Sequence, residues 1–130
     1  MSENLDLVRS IFADWERGDF SRSNWADSDI EYVIVDGPDP GSTRGLAAMA
    51  RRAGEELRPA QNTRLAIKDI RELDGERVLV LINGSGHGKS SGVEVDYEEI
   101  QIFDLCDGKV VRLTVYYEPK RALADLGLEE

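Results

Sequence analysis

Three segments in the second half of this chain, Arg77 to Ile82, Val93 to Leu105 and Lys109 to Tyr117, read as long strands. They restrict the fold more than any other feature. Val78-Leu79-Val80-Leu81-Ile82 is apolar at every position, so this strand must be covered on both faces. The last two segments are joined by Asp107-Gly108, a pair that supplies the positive φ of a tight hairpin turn. An N-terminal half that reads mainly as helix, followed by one large antiparallel sheet, is an α+β order.

The first helix shows in the spacing of Leu5, Val8, Phe12 and Trp15, widened by Leu7 and Ile11, with Asn4 as cap and Gly18 beyond its end. Ser21 or Ser23 is placed to cap a short second helix carrying Trp25. Ile30 to Val35 reads as a first strand, and Asp36-Gly37-Pro38-Asp39-Pro40-Gly41 as a loop. Ser42 or Thr43 then caps a third helix from Gly45 to Leu57, stopped by Pro59. Leu65, Ile67 and Ile70 lie in a strand to Leu73, with Asp74-Gly75 as its turn. Gly84 to Gly92 holds four glycines in nine residues, a composition suited to bulging or to a flexible tip. Pro119 starts a last short helix through Leu126. No repeat or linker divides the 130 residues, so 1–130 is expected to be a single domain.

Sixteen basic residues against 26 acidic ones give a net charge of −10, which disfavours nucleic acid and anionic membrane as partners, since both require a basic footprint. The single cysteine, Cys106, has no disulfide partner within the chain. No signal-peptide succession and no apolar run near the ~18 residues of a membrane span occur, so a soluble, cytoplasmic protein is expected. One histidine, His87, and one cysteine leave no set with zinc-site spacing; no metal and no cofactor are expected. His87 reads as a solvated loop residue beside Ser85, Ser90 and Ser91. The glycines around it precede a strand rather than a helix, which disqualifies them as a phosphate cradle.

With the elements in order, Trp15-Glu16-Arg17-Gly18-Asp19-Phe20, Thr43-Arg44-Gly45 and Phe103-Asp104-Leu105 before Asp107-Gly108-Lys109-Val110-Val111 can be matched to a family. Nearly the whole chain resembles the cone-shaped α+β fold of nuclear transport factor two, in the branch of ketosteroid isomerase and the SnoaL-like polyketide cyclases. That fold implies three N-terminal helices packed in a curved antiparallel sheet, the cystatin-like roll. The motifs carry the scaffold and not the chemistry, because this fold hosts isomerases, cyclases, dehydratases, hydrolases and binding modules. In ketosteroid isomerase the carboxylate base precedes the glycine of the third helix by about nine residues, and counting back from Gly45 reaches Asp36. The oxyanion donors of that enzyme, a protonated Asp and a Tyr, fall at Gln101, whose amide can still donate, and at Ile11, which cannot. Steroid isomerase activity is therefore not implied.

The residues also speak for themselves. Asp36 follows a strand and precedes a Gly/Pro turn, where it serves either as a general base at a cavity mouth or as an Asx-turn former. Tyr32, four residues earlier, shares its face if the strand is regular. If Gln101 and Phe103 face inward, Tyr97 and Glu99 do too, which sets a carboxyl on an apolar wall; a one-residue shift exchanges Glu99 for Glu98. Trp15, Trp25, Tyr32, Tyr97, Phe103 and Tyr117 are the aromatic residues expected around a ligand, with core packing as the alternative.

These readings converge on a small cofactor-independent acid/base enzyme of isomerase, cyclase or dehydratase type. Its substrate is a hydrophobic small molecule, ketone-bearing or polyketide-like, with Asp36 as base and Gln101 or Glu99 polarising an oxygen. The alternative is a non-catalytic small-molecule-binding or dimerisation module of the same fold. Leu79, Leu81, Ile100 and Ile102 are expected on the sheet face turned away from the helices, as an exposed patch that supports a homodimer.

Overall fold

The computed structural model describes residues 2–57, 60–88 and 91–128. The first helix, α1 (Glu3–Trp15), is capped by Ser2, whose Oγ accepts from the Leu5 N–H at 3.2 Å, two residues earlier than the expected Asn4. Its stripe of Val8, Ile11, Phe12 and Trp15 is buried. No helix forms around Trp25. The chain runs through a turn into β1 (Ala26–Ile34), which pairs with a short strand, β2 (Gly41–Arg44), before α2 (Leu46–Leu57). The expectation of three N-terminal helices is thus corrected: only α1 precedes the first strand, α2 follows a hairpin, and α3 (Pro119–Asp125) closes the described chain. Ser42 and Thr43 are drawn into pairing with Val33 and Tyr32 instead of capping α2. Gly45, at φ +96°, turns the chain into the helix while its N–H donates to the Ile30 carbonyl at 2.8 Å. The stop assigned to Pro59 lies outside the described residues.

The rest is sheet. β3 (Ala60–Glu72), β4 (Arg77–Gly88), β5 (Glu94–Cys106) and β6 (Lys109–Tyr116) form a meander, and Asp107 and Gly108, at φ +51° and +75°, make the expected tight turn. The six strands lie in the order β2-β1-β6-β5-β4-β3. This sheet is mixed and not wholly antiparallel, because β1 runs parallel to β6. Five elements, β2, α2, β3, β4 and β5, lie between the parallel partners along the chain, so periodicity alone could not assign this pairing. The glycine-rich segment is regular through Gly88, with Gly84 opposite Tyr97 and Gly86 opposite Val95. Lys89 and Ser90, within the expected tip, lie outside the described residues.

Both faces of the sheet are covered, as the run Val78 to Ile82 requires. Val78, Val80 and Ile82 are fully buried in the main core with α1, Met49 of α2 and the inward residues of β1, β5 and β6. Leu79, Ile100, Ile102 and Tyr116 lie on the other face, beneath Ala122 of α3. The apolar patch expected to be exposed is therefore buried by the chain's own C-terminal helix, because Ala122, Leu123 and Leu126 present an apolar stripe at helical spacing. Tyr116 ties α3 down through a 3.1 Å hydrogen bond from its hydroxyl to Asp125, and burial, with that bond, raises its pKa. Beside half-buried Val35, Leu73 and Leu81, this face also carries charge. Arg77, Asp104, Arg112, Glu31 and Arg44 stand in one cross-strand row of alternating sign, with Arg112 and Glu31 paired at 2.7 Å.

Ala122 has no exposed surface, so Ala122→Arg should force α3 off the sheet. We expect a loss of about 2–3 kcal/mol in denaturant unfolding together with increased binding of a hydrophobic dye. Unchanged stability would show that α3 is not the cover of this face.

Candidate active site

The register of the inner face brings most of the expected site residues to one end of the sheet. Ile34, Val115, Gln101 and Val80 form one row across β1, β6, β5 and β4. Two residues nearer that end come Asp36, Tyr117, Glu99 and Ile82, and beyond Glu99 on the same face comes Tyr97. Parallel pairing of β1 with β6 is what brings Asp36 and Tyr117, both just past their strand ends, together. Tyr32 occupies the inner face of β1 and is buried.

Among the described residues the only buried polar or charged side chains are Asp36, Glu99 and Gln101, at 7%, 4% and 5% exposure. The parity is thereby decided: Glu99 faces the interior, whereas Glu98 is exposed and paired with Lys68. Asp36 is not an Asx-turn former. Its Oδ1 accepts the backbone N–H of Tyr117 at 2.6 Å, 81 residues away, while its Oδ2 is buried with no hydrogen-bond partner. The carboxyl is thus held by one oxygen and presents the other to the interior. The Oε1 of Gln101 is likewise buried without a partner. A Gln side chain can turn either its oxygen or its NH2 to the same place, so this position can accept or donate. The loop after Asp36 is fastened to α2 by Arg52, which pairs with the Asp39 carboxylate at 2.9 Å and also bonds the Asp39 carbonyl.

The remaining aromatic residues lie deeper. Trp15 has its ring centroid 5.9 Å from Trp25 and 6.4 Å from Phe103, and Phe12 packs edge-on to Trp15 at 4.8 Å. These rings fill one another's space in the core, and the indole N–H of Trp25 is spent on the Arg22 carbonyl at 2.9 Å. The structure therefore brings Asp36, Glu99 and Gln101 to one end of the sheet with Tyr97 and Tyr117, leaves Tyr32 in the row of Leu113 and Phe103, and packs Trp15, Trp25 and Phe103 against one another. An open depression of about 620 Å³ lies at the opposite end of β1, lined by Arg22, Ala26, Leu46 and Lys109. None of the expected site residues lines it.

His87 is exposed on β4, opposite Glu94, and does not join the site. Among the described residues no cluster of three or more His, Cys, Asp or Glu has the placement to hold a metal, and no helix is long and apolar enough to cross a membrane. Sequence reasoning missed two residues, Gly37 and Gly84. A Cβ on Gly37 would stand 2.8 Å from the Tyr117 ring, and one on Gly84 would stand 2.4 Å from the Tyr97 ring. For Gly84, glycine inside a strand was the available signal, since it marks close approach of another group to the backbone; Gly37, in a loop, carried no such signal.

No family model and no curated protein matches the sequence. Solved structures do match its shape. An NTF2-like protein of unknown function from Burkholderia pseudomallei superposes with a TM-score of 0.78 at 19% identity, over 95% of this chain and 97% of its own. A protein from Jannaschia sp., classed as a SnoaL-like polyketide cyclase, gives 0.75 at 13% identity, over 98% of this chain and 94% of its own. A protein of ketosteroid isomerase-like fold from Catenulispora acidiphila, in complex with trimethylamine, gives 0.71 at 16% identity, over 95% and 94%. The chain thus has the α+β fold shared by SnoaL-like, ketosteroid isomerase-like and nuclear transport factor two-like proteins, as the sequence resemblance implied. At these identities the likeness is one of fold.

Proposed function

We propose that this protein is a small acid/base enzyme of isomerase, cyclase or dehydratase type, acting without metal or cofactor on a hydrophobic, ketone-bearing small molecule held between the sheet and α2. The carrying observation is Asp36: one carboxylate oxygen fastened to the Tyr117 N–H, the other buried and free to take a proton. In this reading Asp36 Oδ2 removes a proton from the carbon next to a carbonyl. The C–H electron pair moves to the carbonyl oxygen, and the proton is returned elsewhere on the substrate. Gln101, with its NH2 turned inward, or Glu99 in its protonated form hydrogen-bonds the oxygen that gains charge. The apolar walls around these groups, Ile34, Val80, Ile82 and Val115, suit a hydrophobic ligand. A solved structure of the same fold, TerC, was crystallised with polyporic acid, with a TM-score of 0.76 at 20% identity, and small organic ligands are the class we take for this chain.

The test needs a ketone that binds, found by thermal-shift screening, and deuterium exchange of its α-protons followed by NMR. Exchange faster than in buffer supports the enzyme. No exchange in any bound ketone favours the second reading, a binding module, which has its own support: the two unpartnered interior atoms, Asp36 Oδ2 and Gln101 Oε1, are both acceptors as placed. The homodimer through the sheet is proposed on narrower ground than the sequence offered, since α3 leaves only half-buried Val35, Leu73 and Leu81 and its own leucines to support it. Light scattering that gives a monomer at micromolar concentration removes it.

A further inference from the structure

Strand β5 outruns one of its two neighbours. β4 pairs with it in unbroken register as far as Glu94, whereas β6 pairs with it only from Ile100 to Cys106. From Glu94 to Glu98 the strand therefore has β4 on one side and, among the described residues, no strand on the other. The direction of its backbone groups follows from two bonds at the ends of the β4/β5 ladder. The Leu105 N–H donates to the Glu76 carbonyl at 2.7 Å, and the Val93 carbonyl accepts the Gly88 N–H at 2.8 Å. Both bonds fall on odd-numbered residues of β5, so the odd residues bond β4 and the even ones point away from it. Glu94, Asp96 and Glu98 thus direct their N–H and C=O groups at the vacant side. The two faces of this edge differ in chemistry. Glu94, Asp96 and Glu98 lie on the outer face and are all exposed. Lys68 pairs with Glu98, while neither Glu94 nor Asp96 has an ion pair among the described residues. On the inner face stand Val93 and Val95, 61% and 41% exposed, the only exposed large apolar side chains among the described residues.

We propose that the free edge of β5 from Glu94 to Glu98 is a docking site for an extended segment of another protein in which basic and apolar residues alternate. The segment adds to the sheet as a further strand, held by main-chain bonds to residues 94, 96 and 98. Its basic residues meet Glu94 and Asp96 on the outer face, and its apolar residues cover Val93 and Val95 on the inner one. Charge decides against a second copy of this chain as the partner. Two such edges paired antiparallel would set carboxylates opposite carboxylates, in molecules that each carry a net charge of −10.

The probe is a capped peptide, Lys-Val-Lys-Val-Lys-Val-Lys, with a twin carrying Glu in place of every Lys. Amide hydrogen exchange, followed by NMR at millimolar peptide, should slow about tenfold or more at Glu94, Asp96 and Glu98. It should not change at Val95, whose N–H already bonds β4, and the acidic twin should protect none of them. Methylating one alternate set of the peptide's amide nitrogens should abolish protection, and methylating the other set should leave it, as one-sided strand pairing requires. Glu94→Lys combined with Asp96→Lys should reverse the preference, so that the acidic twin protects and the basic peptide does not. Asp96→Pro removes an N–H that β4 does not use, and should weaken the basic peptide about tenfold while denaturant unfolding shows the fold kept. No protection by either peptide, equal protection by both, or a preference that survives the double charge reversal overturns the proposal. The carboxylates would then serve only to keep this edge from pairing.

Discussion

Asp36→Asn is expected to lower α-proton exchange in a bound ketone by roughly a hundredfold or more, with affinity nearly unchanged. The substitution is clean because of what the carboxyl does. Asn can still accept the Tyr117 N–H through its own Oδ1, so the junction between β1 and β6 is kept, and only the basic oxygen is replaced, by an NH2 that cannot take a proton. Asp36→Ala would be a poorer test, since it also leaves the Tyr117 N–H without its acceptor, at a cost of about 1–3 kcal/mol. NMR exchange measured alongside calorimetric affinity decides the matter. Full exchange in Asp36→Asn would move the base to Glu99, the other buried carboxyl on this wall. Loss of affinity along with rate would show that Asp36 binds the ground state rather than acting in the transition state.

The second large effect is on stability. Phe103 has no exposed surface and touches the rings of Phe12, Trp15 and Trp25, with centroids 5.9, 6.4 and 6.5 Å away. Phe103→Ala should cost about 3–5 kcal/mol in denaturant unfolding, through lost burial and the cavity left between rings that cannot all collapse into it. Against a typical domain stability of about 5–15 kcal/mol this is a large share. Ketone affinity, measured well below the unfolding transition, should change little. A small stability loss with a large loss of affinity would instead make Phe103 a wall of the ligand site, the other role open to it in the sequence.

What local pattern could determine, it determined. The strands from Arg77 to Tyr117 announced themselves by β-branched runs and by Asp107-Gly108, whose positive φ values are the ones a tight turn demands. The stripe of α1 followed from spacing, and period two was enough to put Tyr97, Glu99, Gln101 and Phe103 on one face once any of them was known to be inside. Asp36 was reachable by counting from Gly45, a local distance along the chain. Apart from the cap of α1, where Ser2 rather than Asn4 accepts the Leu5 N–H, the failed readings described next were settled by partners outside their own segments. Ser42 and Thr43 are good helix caps in isolation, yet they form an edge strand because β1 offers unpaired backbone groups beside them. Leu79, Ile100 and Ile102 read as an exposed patch, since nothing in their own segments says that Ala122 and its neighbours fold back over them. The Glu98/Glu99 parity depended on which face of β5 meets α1 and α2, and a one-residue slip inverts it. The oxygen of Asp36 that is held and the oxygen that is left free are decided by parallel pairing of β1 with β6, which joins residues 81 apart. Composition and periodicity act over a few residues and so determine elements and faces; the contacts that make a site arise between strands whose neighbours are chosen only when the whole sheet forms.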